Sequence, residues 1–251
     1  MTRDQTPADS VRIRNLEYIW TNGVRALSIR NFSIGCGERL FLRGPSGSGK
    51  STLLGVIAGV FSPTAGEVSI LGHPFHEMSA AARDRVRADA IGVIFQQFNL
   101  VPYLNLVENV LLPCRFSRDR AARVGANEAE RIDKAKSLLN RLGLDEKTRA
   151  NRSAAELSVG QQQRVAAARA LIGSPSLIIA DEPTSALDAE TRNAFIETLL
   201  TEANKAAVLF VSHDASLAEH FDHVVAIENI NFSEVESPLS ERQKMPASAE
   251  A

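Results

Sequence analysis

Residues 44–51 read GPSGSGKS and fit the pattern G-x-x-x-x-G-K-[ST] at every fixed position. Glycines let the backbone turn tightly, so that successive N–H groups point inward toward an anion. Lys50 is expected to reach the β- and γ-phosphates of a nucleoside triphosphate, and the Ser51 hydroxyl is a hard oxygen ligand for Mg²⁺. The residues assigned to nucleotide binding by this phosphate-binding loop (P-loop) are Gly44, Pro45, Ser46, Gly47, Ser48, Gly49, Lys50, Ser51 and Thr52.

Two adjacent acidic residues follow a short apolar stretch farther along the chain. Residues 177–181 read LIIAD and predict a buried strand that ends in Asp181, with Glu182 directly after it. Asp181 is then placed to hold Mg²⁺, directly or through water, and Glu182 to orient and polarise the attacking water. Two solvated acids at a strand end are the alternative, and the P-loop in the same chain favours the site.

A histidine follows the next apolar stretch. His213 comes directly after LFVS, which is expected to form a strand beside the one that ends in Asp181. A lone histidine is usually structural, but α/β sheets bind ligands at the carboxyl ends of their strands, so a contact with the γ-phosphate is favoured. The other histidines are interpreted as solvated side chains rather than metal ligands: His73, His76, His220 and His223.

The elements that must position these residues are short strands and helices. Strands are predicted at 11–20, 26–34, 38–44, 66–72, 176–181, 206–212 and 223–229. A helix at 50–60 gives the P-loop its strand–loop–helix setting, which argues against a merely flexible Gly/Ser loop. Residues from about 98 to 172 are mostly helical by pattern, so the sequence predicts an α/β core in two sequence-distant pieces with a helical insertion between them.

The composition limits the class of protein. The chain has 251 residues and a formal net charge of -2, which gives no basic excess of the kind that nucleic-acid binders show, so no nucleic acid is expected. No apolar stretch approaches the ~18 residues of a membrane-spanning helix, and the N-terminus has no secretory signal, so a soluble, cytoplasmic protein is expected. One domain is predicted over 10–234, with disordered ends at 1–9 and 235–251.

Six motifs in a fixed order carry a resemblance to a known family: GPSGSGKST, the glutamine after IGVIF, LSVGQQQR, LIIADEP, SALD and the histidine of VSHD. This ordered set resembles the ATP-binding cassette (ABC) ATPases over about residues 14–229. The resemblance implies a P-loop NTPase core with an N-terminal antiparallel β subdomain and an inserted α-helical subdomain at about 98–172. It also implies ATP and Mg²⁺ as cofactors and hydrolysis of ATP to ADP and phosphate.

The resemblance also implies roles for single residues. Catalytic roles fall to Glu182, His213, Lys50 and Gln96, and Mg²⁺ is assigned to Ser51, Gln96 and Asp181. Gln97 stays open as the alternative to Gln96, because the two are adjacent.

Two further residues are matched to the family in the same way. Trp20 lies where the family places an aromatic ring that stacks on adenine, with Tyr18 or simple core packing as alternatives. Asp188 in SALD resembles an aspartate that contacts the second copy.

The stretch LSVGQQQR, residues 157–164, has two interpretations that can hold together. As local structure, Ser158 predicts the N-cap of a helix. By resemblance, Ser158, Gly160 and Gln161 would contact the ATP on the P-loop of a second copy, in a head-to-tail pair. Val159 replaces the usual glycine, and because a β-branched residue resists positive φ and narrows a close backbone approach, a slower or more weakly coupled ATPase is expected.

Residues 95–113, FQQFNLVPYLNLVENVLLP, are similar to the ATPase subunits of lipoprotein-releasing, macrolide-export and cell-division-type ABC systems. This resemblance implies a subunit that dimerises on ATP, drives an integral membrane permease, and lies at the inner face of the cell membrane through that partner. One alternative is a nucleotide-gated regulatory or mechanotransmission ATPase that moves no substrate. A chromosome- or repair-type ATPase is less favoured, because the insertion has no sustained heptads of a long coiled coil.

Overall fold

The computed structural model describes residues 9–149, 153–185 and 187–233. The disordered ends predicted at 1–9 and 235–251 lie outside these ranges, apart from Asp9, which accepts a hydrogen bond from the Arg12 guanidinium at 2.7 Å. Within the described ranges, no helix combines the length and apolar character needed to cross a membrane.

Strands and helices alternate along most of the chain. The strands are β1 (Val11–Ile19), β2 (Arg25–Ile34), β3 (Arg39–Arg43), β4 (Ala65–Ile70), β5 (His73–Pro74), β6 (Ile91–Ile94), β7 (Leu177–Asp181), β8 (Ala207–Val211) and β9 (His223–Ala226). The helices are α1 (Lys50–Ile57), α2 (Ala80–Ala90), α3 (Leu106–Phe116), α4 (Arg118–Val124), α5 (Glu128–Arg141), α6 (Glu146–Arg149), α7 (Val159–Leu171), α8 (Ala189–Ala203) and α9 (Ile227–Ile230). Short 3-10 turns lie at Ala154–Glu156 and Ala215–His220.

The N-terminal strands form an antiparallel sheet in the order β2-β1-β4-β5. In β1, Val11 and Ile13 are buried and alternate with exposed Arg12 and Arg14, as a period of two requires. Asn15 adopts a positive φ of 48° and the pairing with β4 shifts register nearby, so the strand bulges and the next buried residue is Leu16.

The second sheet is parallel and has the order β6-β7-β8-β3-β9. Every residue of β8 is buried, as is typical of strands covered on both faces. Because β3, β7 and β8 are neighbours, the segments that follow them meet at one edge of the sheet: the P-loop, Glu182 and His213. The predicted α/β fold, with an antiparallel β subdomain and a P-loop core, is confirmed.

The helical insertion lies between β6 and β7, as predicted. In α5 the apolar face of the helix is buried at Ala135, Leu138 and Leu139. The buried Arg120 of α4 fastens the insertion to the core, because its guanidinium donates to carbonyl oxygens of α2, β6 and α7 and of Ile172 after it. Burial lowers the pKa of Arg120 to about 10, so the side chain remains protonated at neutral pH.

Some local predictions were wrong. The strand expected over 223–229 ends at Ala226, because the chain then turns through α9 toward β2. The helix expected over 50–60 ends at Ile57, where the N–H groups of Val60 and Phe61 bond back to the Gly55 carbonyl.

Two further local differences concern polar segments. Helix α2 has no apolar stripe in its sequence, which is why no periodic pattern indicated it. His220 is not solvated, because only 16% of its side chain is exposed.

Candidate nucleotide-binding site

One cavity of about 490 Å³ lies at the carboxyl ends of the parallel strands and is lined by residues from distant parts of the chain. Its lining residues are Trp20, Val24, Arg25, Ala26, Gly44, Ser46, Gly47, Gly49, Lys50, Ser51, Thr52, Gln96, Asp181, Glu182, Ser185 and His213. The structure thus brings together the predicted P-loop, acidic, glutamine, histidine and aromatic residues around one space. Of the predicted P-loop residues, Pro45 and Ser48 are not part of the lining, and the Ser48 hydroxyl donates to the Pro45 carbonyl at 2.8 Å.

The backbone of the P-loop depends on glycine at its last turn. Gly49 is the N-cap of α1 and has a φ of 96°, in the left-handed region that favours glycine. A Cβ atom there would lie 2.9 Å from the Ala26 carbonyl oxygen and 3.0 Å from Leu27 Cδ2. The loop therefore takes this shape only because no side chain stands at position 49.

Lys50 lies inside the loop that precedes it. Its Nζ atom donates to the carbonyl oxygens of Gly44 and Pro45, each at 2.7 Å. A lysine ammonium has three donors, so these bonds hold the cation at the cavity while leaving donor capacity for a phosphate oxygen.

The Ser51 hydroxyl and Asp181 lie next to each other in the lining of the cavity. The hydroxyl donates to Asp181 Oδ2 at 3.3 Å. Burial raises the pKa of the Asp181 carboxyl above its usual range, and the hydrogen bond from Ser51 opposes this in part. A divalent cation beside these hard oxygens would offset the desolvation of the carboxylate, so the donor set fits Mg²⁺.

A Mg²⁺ site of this kind does not need protein side chains for all of its ligands. Among the residues that the structure describes, no three His, Cys, Asp or Glu side chains gather as a preformed metal centre. The expected ligand set, in which serine, glutamine and phosphate oxygens complete the coordination, stays a prediction.

Glu182 is held in a strained conformation directly after β7. Its φ is 47°, which is uncommon for a residue other than glycine, and its N–H is fixed by the Val211 carbonyl at 3.0 Å. The His213 Nδ1 atom lies 3.0 Å from Glu182 Oε2. His213 therefore orients the carboxylate of Glu182, and its predicted contact with a γ-phosphate stays a prediction.

The two candidate glutamines differ in position. Gln96 lines the cavity, whereas Gln97 is exposed outside the lining. The backbone turns sharply just after them, with φ values of 58° at Phe98 and 49° at Asn99. The buried guanidinium of Arg169, in α7, bonds to the carbonyl oxygens of Phe98 and Asn99, so the helix of the LSVGQ stretch fixes the loop of Gln96.

Trp20 is one of the residues that line the cavity. Its ring is 37% exposed and packs edge-on against Tyr18, with a centroid separation of 4.9 Å, and against Phe61 at 5.3 Å. Tyr18 supports this ring from outside the lining. A flat, half-exposed ring at this place can stack on a base.

Sequence reasoning missed four residues of the lining: Val24, Arg25, Ala26 and Ser185. Val24 directly precedes β2, and Arg25 and Ala26 begin it. This strand returns beside Trp20 after a short turn, and Ile19 pairs with Arg25. The turn residues TNG after Trp20 could have indicated this hairpin, whereas nothing local marks Ser185.

The LSVGQ stretch stands apart from this cavity. Ser158 caps α7 as predicted, because its hydroxyl accepts from the Gln161 N–H at 3.3 Å while the Gln161 side chain accepts from the Ser158 N–H at 3.1 Å. A Cβ atom on Gly160 would meet only Leu187 Cδ2, at an ordinary 3.6 Å.

Val159 lies in ordinary helical backbone, and the slower or more weakly coupled ATPase expected from it stays a prediction. Val159 is the first residue of α7, so its φ is helical and negative, and a β-branched residue is tolerated there. Its side chain is 50% exposed, so what it changes is the steric bulk beside Gly160 on the surface.

Asp188 has a local role that the sequence comparison did not assign. It is the N-cap of α8, and its carboxylate accepts from both the N–H and the hydroxyl of Thr191, each at 2.9 Å. These hydrogen bonds lower the pKa of Asp188 below its usual range. A contact with a second copy stays a prediction for this residue.

Comparisons with known proteins point in one direction. A family model described as ABC transporter matches residues 27–185. The chain is similar to the uncharacterized ABC transporter ATP-binding protein YbbA of Escherichia coli K12, with 42% identity over 195 residues, 77% of this chain and 82% of YbbA. It is also similar to the uncharacterized ABC transporter ATP-binding protein MJ0796 of Methanocaldococcus jannaschii, with 38% identity over 224 residues, 87% of this chain and 93% of MJ0796.

Two solved structures of MJ0796 resemble the fold. A dimeric structure of the cassette has a TM-score of 0.77 and 37% identity, and covers 86% of this chain and 93% of its own. A dimeric post-hydrolysis state bound to ADP and Pi has a TM-score of 0.79 and 38% identity, and covers 90% of this chain and 97% of its own.

Proposed function

The chain belongs to the ABC transporter family as an ATP-binding subunit, and from that premise we propose that two copies close head to tail on two ATP molecules and drive a membrane permease. The subunit is an ATPase that converts ATP and water to ADP and phosphate. The proposal rests on where the groups suited to bind phosphate lie. Some line the cavity around the P-loop, and others lie at the exposed start of α7, outside that cavity.

Within the cavity, catalysis is a matter of position and charge. Lys50 and the P-loop amides bind the phosphates, while Trp20 stacks on the adenine. Ser51, Asp181 and Gln96 would hold Mg²⁺, which supplies neutralising charge to the β- and γ-phosphates. Glu182, held by His213, orients a water molecule for attack on the γ-phosphorus and accepts its proton.

The exposed start of α7 supplies the second half of the site. Ser158 offers a hydroxyl and Gly160 a backbone N–H at the positive end of a 13-residue helix, which is favourable geometry for a phosphate. Gly160 would accept a Cβ atom without a clash in its own chain, so its small size suits the approach of a group from outside. The dimeric MJ0796 structures support a partner cassette as the source of that group.

A groove beside Gln96 suits the permease. It has a volume of about 560 Å³ and lies between α2 and α3, with Phe95 and Phe116 in its wall. These rings are 41% and 74% exposed, which is unusual for large apolar side chains. Phe95 adjoins Gln96, which lines the nucleotide cavity. A permease helix that packs in this groove would therefore respond to the state of the bound nucleotide.

The same segment supports a proposal about the branch of the family. Residues 95–113 are similar to the subunits of lipoprotein-releasing, macrolide-export and cell-division-type systems. We infer a permease of that type, which holds the subunit at the inner face of the cell membrane.

The test is co-purification of the intact complex. Tagged Glu182→Gln protein is purified from gently solubilised membranes with ATP present, and its partners are identified. A stoichiometric integral membrane protein is expected. The matched control carries Lys50→Ala in addition to Glu182→Gln. Because Lys50→Ala weakens phosphate binding, it should lower the yield of any partner whose co-purification depends on ATP. Chromosomal or ribosomal partners in place of a membrane protein would contradict the transport role while leaving the ATPase intact.

A further inference from the structure

The C-terminal segment 227–233 packs against the back of the P-loop. It leaves the parallel sheet after β9, turns through α9 and pairs with the antiparallel sheet, where Asn231 bridges to Ile29. The Phe232 N–H then bonds to the Ser28 carbonyl at 2.9 Å. The segment therefore joins the two sheets at the place where the nucleotide cavity lies between them.

The carboxamide of Asn231 is the centre of this junction. Its oxygen accepts from the Ser28 N–H at 2.8 Å. Its Nδ2 donates to the Ala26 carbonyl and to the Ser48 carbonyl, each at 3.1 Å. The oxygen also accepts from the Ser233 N–H at 3.3 Å, so the carboxamide uses both lone pairs and both N–H groups. Neither a carboxylate nor a hydroxyl could make the same four contacts.

The bond to Ser48 fixes a peptide group of the P-loop. In a planar trans peptide the carbonyl and the following N–H point in opposite directions. Because Asn231 holds the Ser48 carbonyl from behind, the Gly49 N–H points the other way, toward the cavity that Gly49 lines. The contact is close, since a Cβ atom on Gly49 would lie 3.0 Å from Asn231 Nδ2.

We propose that Asn231 is a positioning residue for nucleotide binding, which holds the Ser48–Gly49 peptide so that its N–H faces the phosphates. It does not touch the nucleotide. The same carboxamide holds Ala26, which lines the cavity beside Trp20, so one side chain sets the spacing between the phosphate end and the base end. This inference rests on the proposed function, because it concerns the same cavity.

The experiment compares Asn231→Ala with Ser233→Ala in the full chain. Ser233 is the matched control, because its hydroxyl donates to the same Ala26 carbonyl at 3.2 Å but makes no contact with the P-loop. Dissociation constants for a fluorescent ATP analogue and for ADP are measured at a temperature where circular dichroism reports folded protein. Asn231→Ala should weaken both about tenfold, the effect of one well-placed hydrogen bond to a charged group, while Ser233→Ala stays within about twofold.

A third variant is a control for misfolding. Asn231→Asp keeps the shape and the acceptor for Ser28 but replaces both donors by an oxygen that faces two carbonyl oxygens, so its loss of affinity should equal or exceed that of Asn231→Ala. In turnover, KM for ATP should rise by more than kcat falls, which a loss of folded protein would not produce.

The outcomes separate the two proposals. Wild-type dissociation constants in folded Asn231→Ala or Asn231→Asp would overturn the positioning role, as would an equal loss in Ser233→Ala. If the unsubstituted protein bound neither ATP nor ADP, the proposed function itself would fail.

Discussion

Two glycines, one in the P-loop and one in the LSVGQ stretch, are under different constraints from the fold. At Gly49 of the P-loop, the φ of 96° and the nearby Ala26 carbonyl forbid a side chain, so the fold of this chain demands glycine. At Gly160 the backbone is helical and a Cβ atom would make only an ordinary contact with Leu187. The chain's own packing thus accounts for Gly49 and leaves Gly160 unexplained.

A glycine inside a helix is also unfavourable by itself. It costs about 0.5–1 kcal/mol relative to alanine, because glycine loses more backbone entropy on folding. A residue that weakens the fold without a packing reason indicates a constraint from outside the fold. We therefore propose that the cavity around the P-loop is one half of the site and that the start of α7 provides the other half to a second copy.

The largest expected effect tests whether the two halves meet. Glu182→Gln removes the base that accepts the proton of the attacking water, so hydrolysis should fall by a factor on the order of 10²–10⁴. ATP binding should persist, because the P-loop is unchanged. With ATP held and not consumed, the two halves should stay closed, and light scattering should report a dimer. A Glu182→Gln protein that remains monomeric at saturating ATP would contradict the proposal that the two halves of the site meet between copies.

Gly49→Ala tests the demand made by the chain's own fold. A side chain in the left-handed region costs about 1–2 kcal/mol, and the contact with the Ala26 carbonyl adds to it. The free energy of unfolding, from denaturant titration, should fall by at least that amount, and ATP affinity should fall with it. Unchanged stability would mean that the P-loop can relax and that Gly49 resembles Gly160.

Gly160→Ala should have the opposite effect on stability. The free energy of unfolding should rise by up to about 0.5 kcal/mol, because Gly160 is the second residue of α7 and the full preference for alanine applies to a helix interior. Binding of ATP to one copy should be unchanged, since Gly160 stands outside the cavity. ATP-dependent dimerisation, measured in a Glu182→Gln background, should weaken. A loss of stability together with normal dimerisation would contradict the outside constraint.

The sequence predicted the parts of the site that are encoded locally. The P-loop, the Asp181–Glu182 pair and His213 each follow an apolar strand, and parallel strands bring such ends together. Contacts set by tertiary placement were missed. Ser48 and Asn231 are 183 residues apart, and the pattern around Asn231 suggested only the end of a strand that in fact stops at Ala226.

The smallest expected effect concerns Val159, and it separates two physical explanations for the same departure from glycine. If the exposed side chain hinders the approach of a phosphate to Gly160, Val159→Ala should raise ATP-dependent dimerisation and hydrolysis a few-fold, and Val159→Gly should add little, because alanine already removes most of the bulk. If backbone freedom matters instead, only Val159→Gly should help.

The helical position of Val159 favours the steric explanation, since the first residue of a helix needs no positive φ. The double variant Val159→Ala/Gly160→Ala shows whether the two residues act on one step. Because Gly160→Ala already blocks the approach to Gly160, the gain in rate from Val159→Ala should disappear in that background.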